Sequence, residues 1–269
     1  MTAPFLSQHP SPIALVGIGP SVESALQRLH AEHLPNVRIF PSDATLVPEL
    51  LHKVGLLILV TQLDSMEDCD AVQAVVLQMQ SSGFSIPTLY VEMQPSAGVG
   101  PRQKVLAHYS MQTLQMHADA TVVLRGEAGE GLCTLLTERV AGLAHAVANG
   151  ASVGIDINDL TGLLRNAGPA VWASTLSEGI DRAGTAAKEL CSQPGLHVEP
   201  GHAYHHAIVW IQGARQSLQL SETRALLTVL SQKLLTDTAR LVVGVSHDDS
   251  LGARIRVSAL LCRPQMLSN

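Results

Sequence analysis

Between Ile13 and Leu124, short runs of branched apolar residues alternate with segments of helical period, and this alternation most constrains the fold. Ile13 to Gly17, Val37 to Phe40, Leu56 to Thr61, Ile86 to Glu92 and Ala120 to Leu124 read as strands. Ser21 to Ala31, Met66 to Gln80 and Gln103 to Met116 read as helices between them. Continuously apolar strands separated by helices pair in parallel and are covered on both faces, so an α/β fold with a Rossmann-like parallel sheet is expected. Aromatic residues make up only 3% of the chain, which leaves Leu, Val and Ala to fill the core.

A longer helical pattern follows from Glu127 to Asn149, with Leu132, Leu135, Leu136, Val140, Leu143 and Val147 as its apolar stripe and Asn149-Gly150 as its stop. Beyond it, Ile155-Asp156-Ile157-Asn158-Asp159 sets two carboxylates three residues apart at the start of a further helix. Leu160, Leu163, Leu164, Ala167 and Val171 form the face of that helix, and Trp172 falls on it after Pro169. Another helix has Ile180, Ala183, Ala187 and Leu190 on one side. Ala207 to Ile211 is a strand, Glu222 to Leu235 a helix capped by Ser221, and Arg240 to Val245 and Arg254 to Cys262 are strands. The polar turn His247 to Ser250 between these two suggests an antiparallel pair.

A chain of 269 residues with 46% hydrophobic content buries a real core, and its length allows one large or two small domains. The net charge of -6 gives no footprint for nucleic acid or an anionic membrane surface. No apolar run reaches the roughly 20 residues of a membrane span, so no direct membrane insertion is expected. The start MTAPFLSQHPSP is polar and Pro-rich, and Cys69, Cys133, Cys191 and Cys262 lack metal spacing; a cytoplasmic protein with reduced thiols is the simplest reading. His197, Glu199, His202, His205 and His206 cluster without matching a zinc motif, so no metal site is assigned.

Three stretches bear on chemistry. Val16-Gly17-Ile18-Gly19-Pro20-Ser21 is a strand, a glycine turn and a helix start, whose Gly17, Gly19 and Ser21 are the candidates for cradling a phosphate. The competing reading is a tight turn in an ordinary sheet, because Pro20 removes an amide donor. Gln62-Leu63-Asp64-Ser65-Met66-Glu67-Asp68 contains no glycine and sets acids after a strand end, where Asp64 or Ser65 can cap the next helix. Asp156 and Asp159 suit either a helix cap or acid/base and cation chemistry.

The run Gly179-Ile180-Asp181-Arg182-Ala183, the acid loop at Asp156 and Asp159, and the segments Leu241 to Asp248 and Arg254 to Val257 resemble FtsZ, the tubulin-like bacterial cell-division GTPase family. The resemblance implies a two-part fold, residues 1–126 and a smaller α+β part at 151–269, joined by a central connecting helix at 127–150, with GTP as cofactor and head-to-tail filaments in which Asp156 and Asp159 would reach the nucleotide of the next subunit. It also implies departures. The family's glycine-threonine signature is replaced by Gln62 to Asp68, its glycine-rich loop has no room between Asp43 and Val54, and Arg125 to Gly131 fits the ribose and base contacts poorly. The chain stops soon after its last strand, at Pro264 to Asn269, without the family's linker and recruiting peptide.

Three functions compete on this reading. The first is a pseudo-GTPase without bound cofactor, a non-catalytic assembly subunit partnering itself or a division-type FtsZ GTPase and capping or modulating its filament. The second is a divergent, active GTP-dependent polymerising GTPase. The third is a small-molecule enzyme reusing the sheet cleft.

Overall fold

The computed structural model describes residues 13–34, 36–40, 54–62, 65–81, 86–95, 100–115, 117–148, 151–193, 195–196 and 203–263. Its strands are β1 (Ile13–Ile18), β2 (Val37–Phe40), β3 (Leu56–Thr61), β4 (Thr88–Pro95), β5 (Ala120–Gly126), β6 (Gly168–Ser177), β7 (Tyr204–Gly213), β8 (Leu235–His247) and β9 (Ile255–Cys262). Its helices are α1 (Pro20–Ala31), α2 (Met66–Ser81), α3 (Pro101–Gln115), α4 (Glu130–Val147), α5 (Ile157–Leu164), α6 (Arg182–Cys191) and α7 (Leu220–Leu234).

One nine-stranded sheet runs β2-β1-β3-β4-β5-β6-β9-β7-β8. The neighbours from β2 to β6 pair in parallel, and so do β7 and β8. β9 alone among the described strands runs against its neighbours, antiparallel to β6 and to β7. The continuously apolar strands are buried on both faces, as their lack of alternation requires.

α1 and α4 cover one face. Leu26 and Leu29 of α1 and Leu132, Leu136 and Leu143 of α4 pack on Ile13, Leu15 and Ile58, in a core that continues to Trp172, Trp210 and Leu260. The other face of the first strands carries Val72 and Val76 of α2 and Leu106 of α3 against Val16, Leu59 and Tyr90. In the C-terminal part, Ala186 and Leu190 of α6 and Leu226 and Leu230 of α7 cover Val209, Ile211, Val257 and Ala259. Burial of such side chains contributes about 25 cal/mol per Å2 of apolar surface, and this spread of Leu, Val and Ala replaces the missing aromatics.

Three expectations are corrected. The helix beginning at the acid loop does not reach Val171: α5 ends at Leu164, Asn166 and Gly168 take positive φ values of 53° and 67°, and the chain turns into β6. Trp172 is therefore on a strand, opposite Leu260, and meets the Trp210 ring edge-on at 6.1 Å. β8 and β9 are not paired with each other; the polar turn between them reverses the chain without choosing its neighbour. β8, only partly buried, takes the sheet edge through the β7–α7–β8 crossover, while the wholly apolar second half of β9 takes an interior position. Helix starts also shift: α6 begins at Arg182, leaving Ile180 fully exposed, and α7 begins at Leu220, ahead of Ser221.

Candidate functional site

The glycine turn sits where β1 meets α1, at the carboxyl edge of the parallel strands, the usual ligand position of such sheets. Gly17 serves packing: a Cβ there would lie 2.5 Å from Leu26 Cδ1, so α1 closes tightly on β1. Gly19, with φ +92°, is the N-cap of α1 and has no side chain to satisfy the first amides; Pro20 and Ser21 open the helix.

The space over Gly19 is taken by a carboxylate. A Cβ on Gly19 would be 2.9 Å from Asp68 Oδ1, while Asp68 Oδ2 accepts hydrogen bonds from Ser65 N and Ser65 Oγ at 2.9 Å each. Ser65 Oγ lies 3.2 Å from Asp68 N, completing a reciprocal cap of α2. One buried side chain thus caps α2 and presses against the turn that opens α1. Asp64 lies outside the described residues.

Beside this turn, Ile18 pairs with Thr61 and Thr61 with Glu92 across β1, β3 and β4. Thr61 Oγ1, Tyr90 OH and Glu92 Oε2 lie within 2.5 to 2.8 Å of one another, wholly buried. Burial, then the neighbouring Glu92, pushes the Tyr90 phenol far above its ordinary value. Sequence reasoning passed over these residues. The signal was Glu92, the single charged side chain in the apolar strand Thr88–Pro95.

The acid loop is at the other end of α4, whose 18 residues at about 1.5 Å each span about 27 Å. Ile155 N donates to Ala146 O at 2.9 Å and Val153 bridges Val245 of β8. Gly244 leaves just enough room: a Cβ there would be 2.7 Å from Ile155 Cγ1. Asp156 caps α5, accepting from Asn158 N at 2.7 Å, and Asp159 stands exposed in the first turn. Asp156 and Asp159 are therefore together, and the span of α4 separates them from Gly17, Gly19 and Ser21.

In the C-terminal part Arg182 works as a clamp. Its guanidinium donates to Glu222 (Nε to Oε1, 2.6 Å; Nη2 to Oε2, 2.8 Å), to Ser217 O at 2.5 Å and to Ala253 O at 2.7 Å. Hydrogen bonding from Arg182 holds the Glu222 carboxyl below the usual range, and the same contact raises Arg182. Asp181 caps α6 through Gly184 N, so the Gly-Ile-Asp-Arg-Ala run is structural here. His206 Nδ1 meets Leu163 O at 3.0 Å; His197, Glu199 and His202 lie outside the described residues. Among the described residues no group of three or more His, Cys, Asp or Glu is placed to hold a metal ion, and no helix is long and apolar enough to cross a membrane.

No protein-family model matches the chain. Cell division protein FtsZ 1 of Thermococcus kodakarensis is 24% identical over 183 residues, 63% of this chain and 48% of that protein, so the match spans about half the relative's length. An FtsZ of M. jannaschii, solved as an empty dimer, superposes with a TM-score of 0.81 at 18% identity, covering 96% of this chain and 90% of that one. The chain has the tubulin/FtsZ fold. CetZ2 from Haloferax volcanii, solved as a GTPγS-bound protofilament, gives 0.67 at 15% identity over 94% of this chain and 93% of that one. Within this fold the glycine turn lies toward one end of α4 and the acid loop at the other.

Proposed function

We propose that this chain is an FtsZ-like assembly subunit that does not hydrolyse GTP, and that it acts with copies of itself or with a division-type GTPase. The observation that carries this is the Asp68 carboxylate against the Gly19 turn. A phosphate at about 4 Å from that charge meets a repulsion of about 4 kcal/mol per charge pair at an effective dielectric of about 20. Phosphate cradles need open amides and room for close approach, and this turn has Pro20 and a neighbouring carboxylate instead. Homotypic or mixed assembly is supported by the dimer and protofilament in which the two FtsZ-fold relatives were solved. Exposed Asp159, with the cap Asp156 beside it, is the surface this chain would offer to a partner's nucleotide face.

Thermal melting with GTP, GDP and magnesium tests the reading, because a ligand that binds only the native state raises the melting temperature. No shift is expected, together with altered polymer mass or GTP turnover when the chain is added in equal amount to an assembling FtsZ. A second reading, an active polymerising GTPase, draws on the glycine at the N-cap of α1, since Gly19 brings no side chain to the turn. A GTP-specific rise in melting temperature establishes it over the first.

A further inference from the structure

Two arginines, Arg182 and Arg139, are 6% and 8% exposed, and the protein treats them in opposite ways. Each guanidinium nitrogen of Arg182 donates to an oxygen, with Glu222 as counter-charge. Arg139, on α4, has no such set: its Nε finds no acceptor among the described residues, and no carboxylate of those residues hydrogen-bonds it. Burial, opposed by Glu138 and joined by Arg256, pulls this guanidinium down to about 10. A desolvated cation without a bonded partner costs stability, so its place in the fold needs a reason other than folding.

Other orphaned groups surround it. Leu176, Arg256, Gln212 and Ser246 stand level across β6, β9, β7 and β8, and directly opposite residues share a face of the sheet. α4 covers that face. Glu138 reaches Arg256 at 3.5 Å, and a Cβ on Gly142 would lie 2.7 Å from Trp210 Nε1 and 3.4 Å from Gln212 Oε1. Arg139 follows Glu138 and sits one turn before Gly142, so it overhangs the same row. Trp210 Nε1, Gln212 Oε1 and Ser246 Oγ are buried there and, like Arg139 Nε, have no hydrogen-bond partner among the described residues. Three donors and one acceptor are thus gathered between α4 and the sheet. Leu176, 40% exposed, and the partly exposed Glu138–Arg256 pair mark the side that meets solvent.

We propose that Arg139, Trp210, Gln212 and Ser246 form a binding site for a small organic acid with a hydroxyl beside its carboxylate, which pins α4 to the C-terminal strands. A guanidinium matches a carboxylate in shape and charge, and the indole N–H and the serine hydroxyl supply donors for its remaining lone pairs. Gln212 Oε1 takes a donor from the ligand. A hydroxyl suits that place and an ammonium does not, because Arg139 and Arg256 repel a further cation. The site belongs to neither the glycine turn nor the acid loop, and it stands whether or not the chain binds GTP.

The test is nuclear magnetic resonance of the full chain, titrated with lactate and, as its neutral counterpart, lactamide. The chain has 2 tryptophans, so two indole N–H signals are expected, and Trp172→Phe tells them apart. Lactate is expected to move the Trp210 signal saturably and to raise the melting temperature, and lactamide to do neither. Arg139→Met is expected to weaken lactate binding by roughly tenfold or more and, without lactate, to raise the urea midpoint, because it removes an unpaired buried cation. A lower midpoint assigns Arg139 to the fold and overturns the inference. So does the lack of a saturable shift, an equal response to lactamide, or undiminished binding by R139M. Inorganic phosphate binding as tightly as lactate overturns the assignment to a carboxylate. If R139M does not fold, Arg139→Lys decides: it keeps the charge and loses the planar fork, so lactate binding about tenfold weaker upholds the site and unchanged binding overturns it.

Discussion

The two ends of α4 both carry carboxylates and use them in opposite ways. At the glycine-turn end, Asp68 and Glu92 are buried, 7% and 1% exposed, and bonded into the protein through Ser65, Thr61 and Tyr90. At the acid-loop end, Asp156 and Asp159 are exposed, and Asp156 is bonded to the first turn of its own helix. An inward carboxylate is part of the fold, so its loss is felt in stability. An outward one contributes little to stability and is available to another molecule.

Substitutions at the two ends should therefore separate. The largest effect is expected away from either set of acids, at the Arg182 clamp. Arg182→Met leaves Glu222 and the carbonyls of Ser217 and Ala253 without their donor, at a cost of about 3 kcal/mol, read as a lower urea midpoint. Because Glu222 titrates below its ordinary range, the stability it contributes is complete above about pH 4.3 and is lost as pH falls through the lower folded value. The variant should lack that acid limb, and an unchanged acid limb would assign it to other carboxylates.

Next comes Gly19→Ala, which strains a φ of +92° and pushes a methyl to 2.9 Å from Asp68 Oδ1; about 2 kcal/mol is expected from thermal unfolding. Asp68→Ala removes the carboxylate half of the reciprocal α2 cap, costing about 1 kcal/mol, and clears the charge from the turn. It is expected to gain a GTP-dependent rise in melting temperature that the parent lacks; no gain would show that other missing loops exclude the nucleotide on their own. Asp159→Asn closes the series. Its stability is expected within about 0.5 kcal/mol of the parent while any effect on partner assembly is lost, which sedimentation with an FtsZ polymer would measure.

Much of the first half was legible because its information is local. Ile13, Leu15 and Ile58 lie in continuous apolar runs, and Met66 to Ser81 follows a capping serine, so strand and helix types could be read without knowing their neighbours. β6 was not legible, since Ala167 and Val171 continue the period of α5 and the break depends on Asn166 and Gly168 adopting positive φ. The exchange of β8 for β9 at the edge was hidden for a different reason: a turn sequence encodes reversal, whereas pairing depends on which strand is apolar on both faces. Of the candidate site, the Asp68 obstruction was foreshadowed by the acids after Thr61. The triangle at Glu92 was not, because it joins residues 61, 90 and 92 through sheet register.

The position of β9 also bears on biosynthesis. β6 and β7 leave the ribosome before it, yet neither has its interior neighbour until Ile255–Cys262 arrives between them. During that interval their facing edges, with Trp172, Val209 and Ile211, carry open amides and carbonyls beside apolar side chains, the combination that invites intermolecular strand pairing. The first five strands face no such wait, since each finds its sheet neighbours among segments already made or next to be made. A ribosome that terminates before Ile255 is therefore expected to release an aggregating chain instead of a smaller soluble domain.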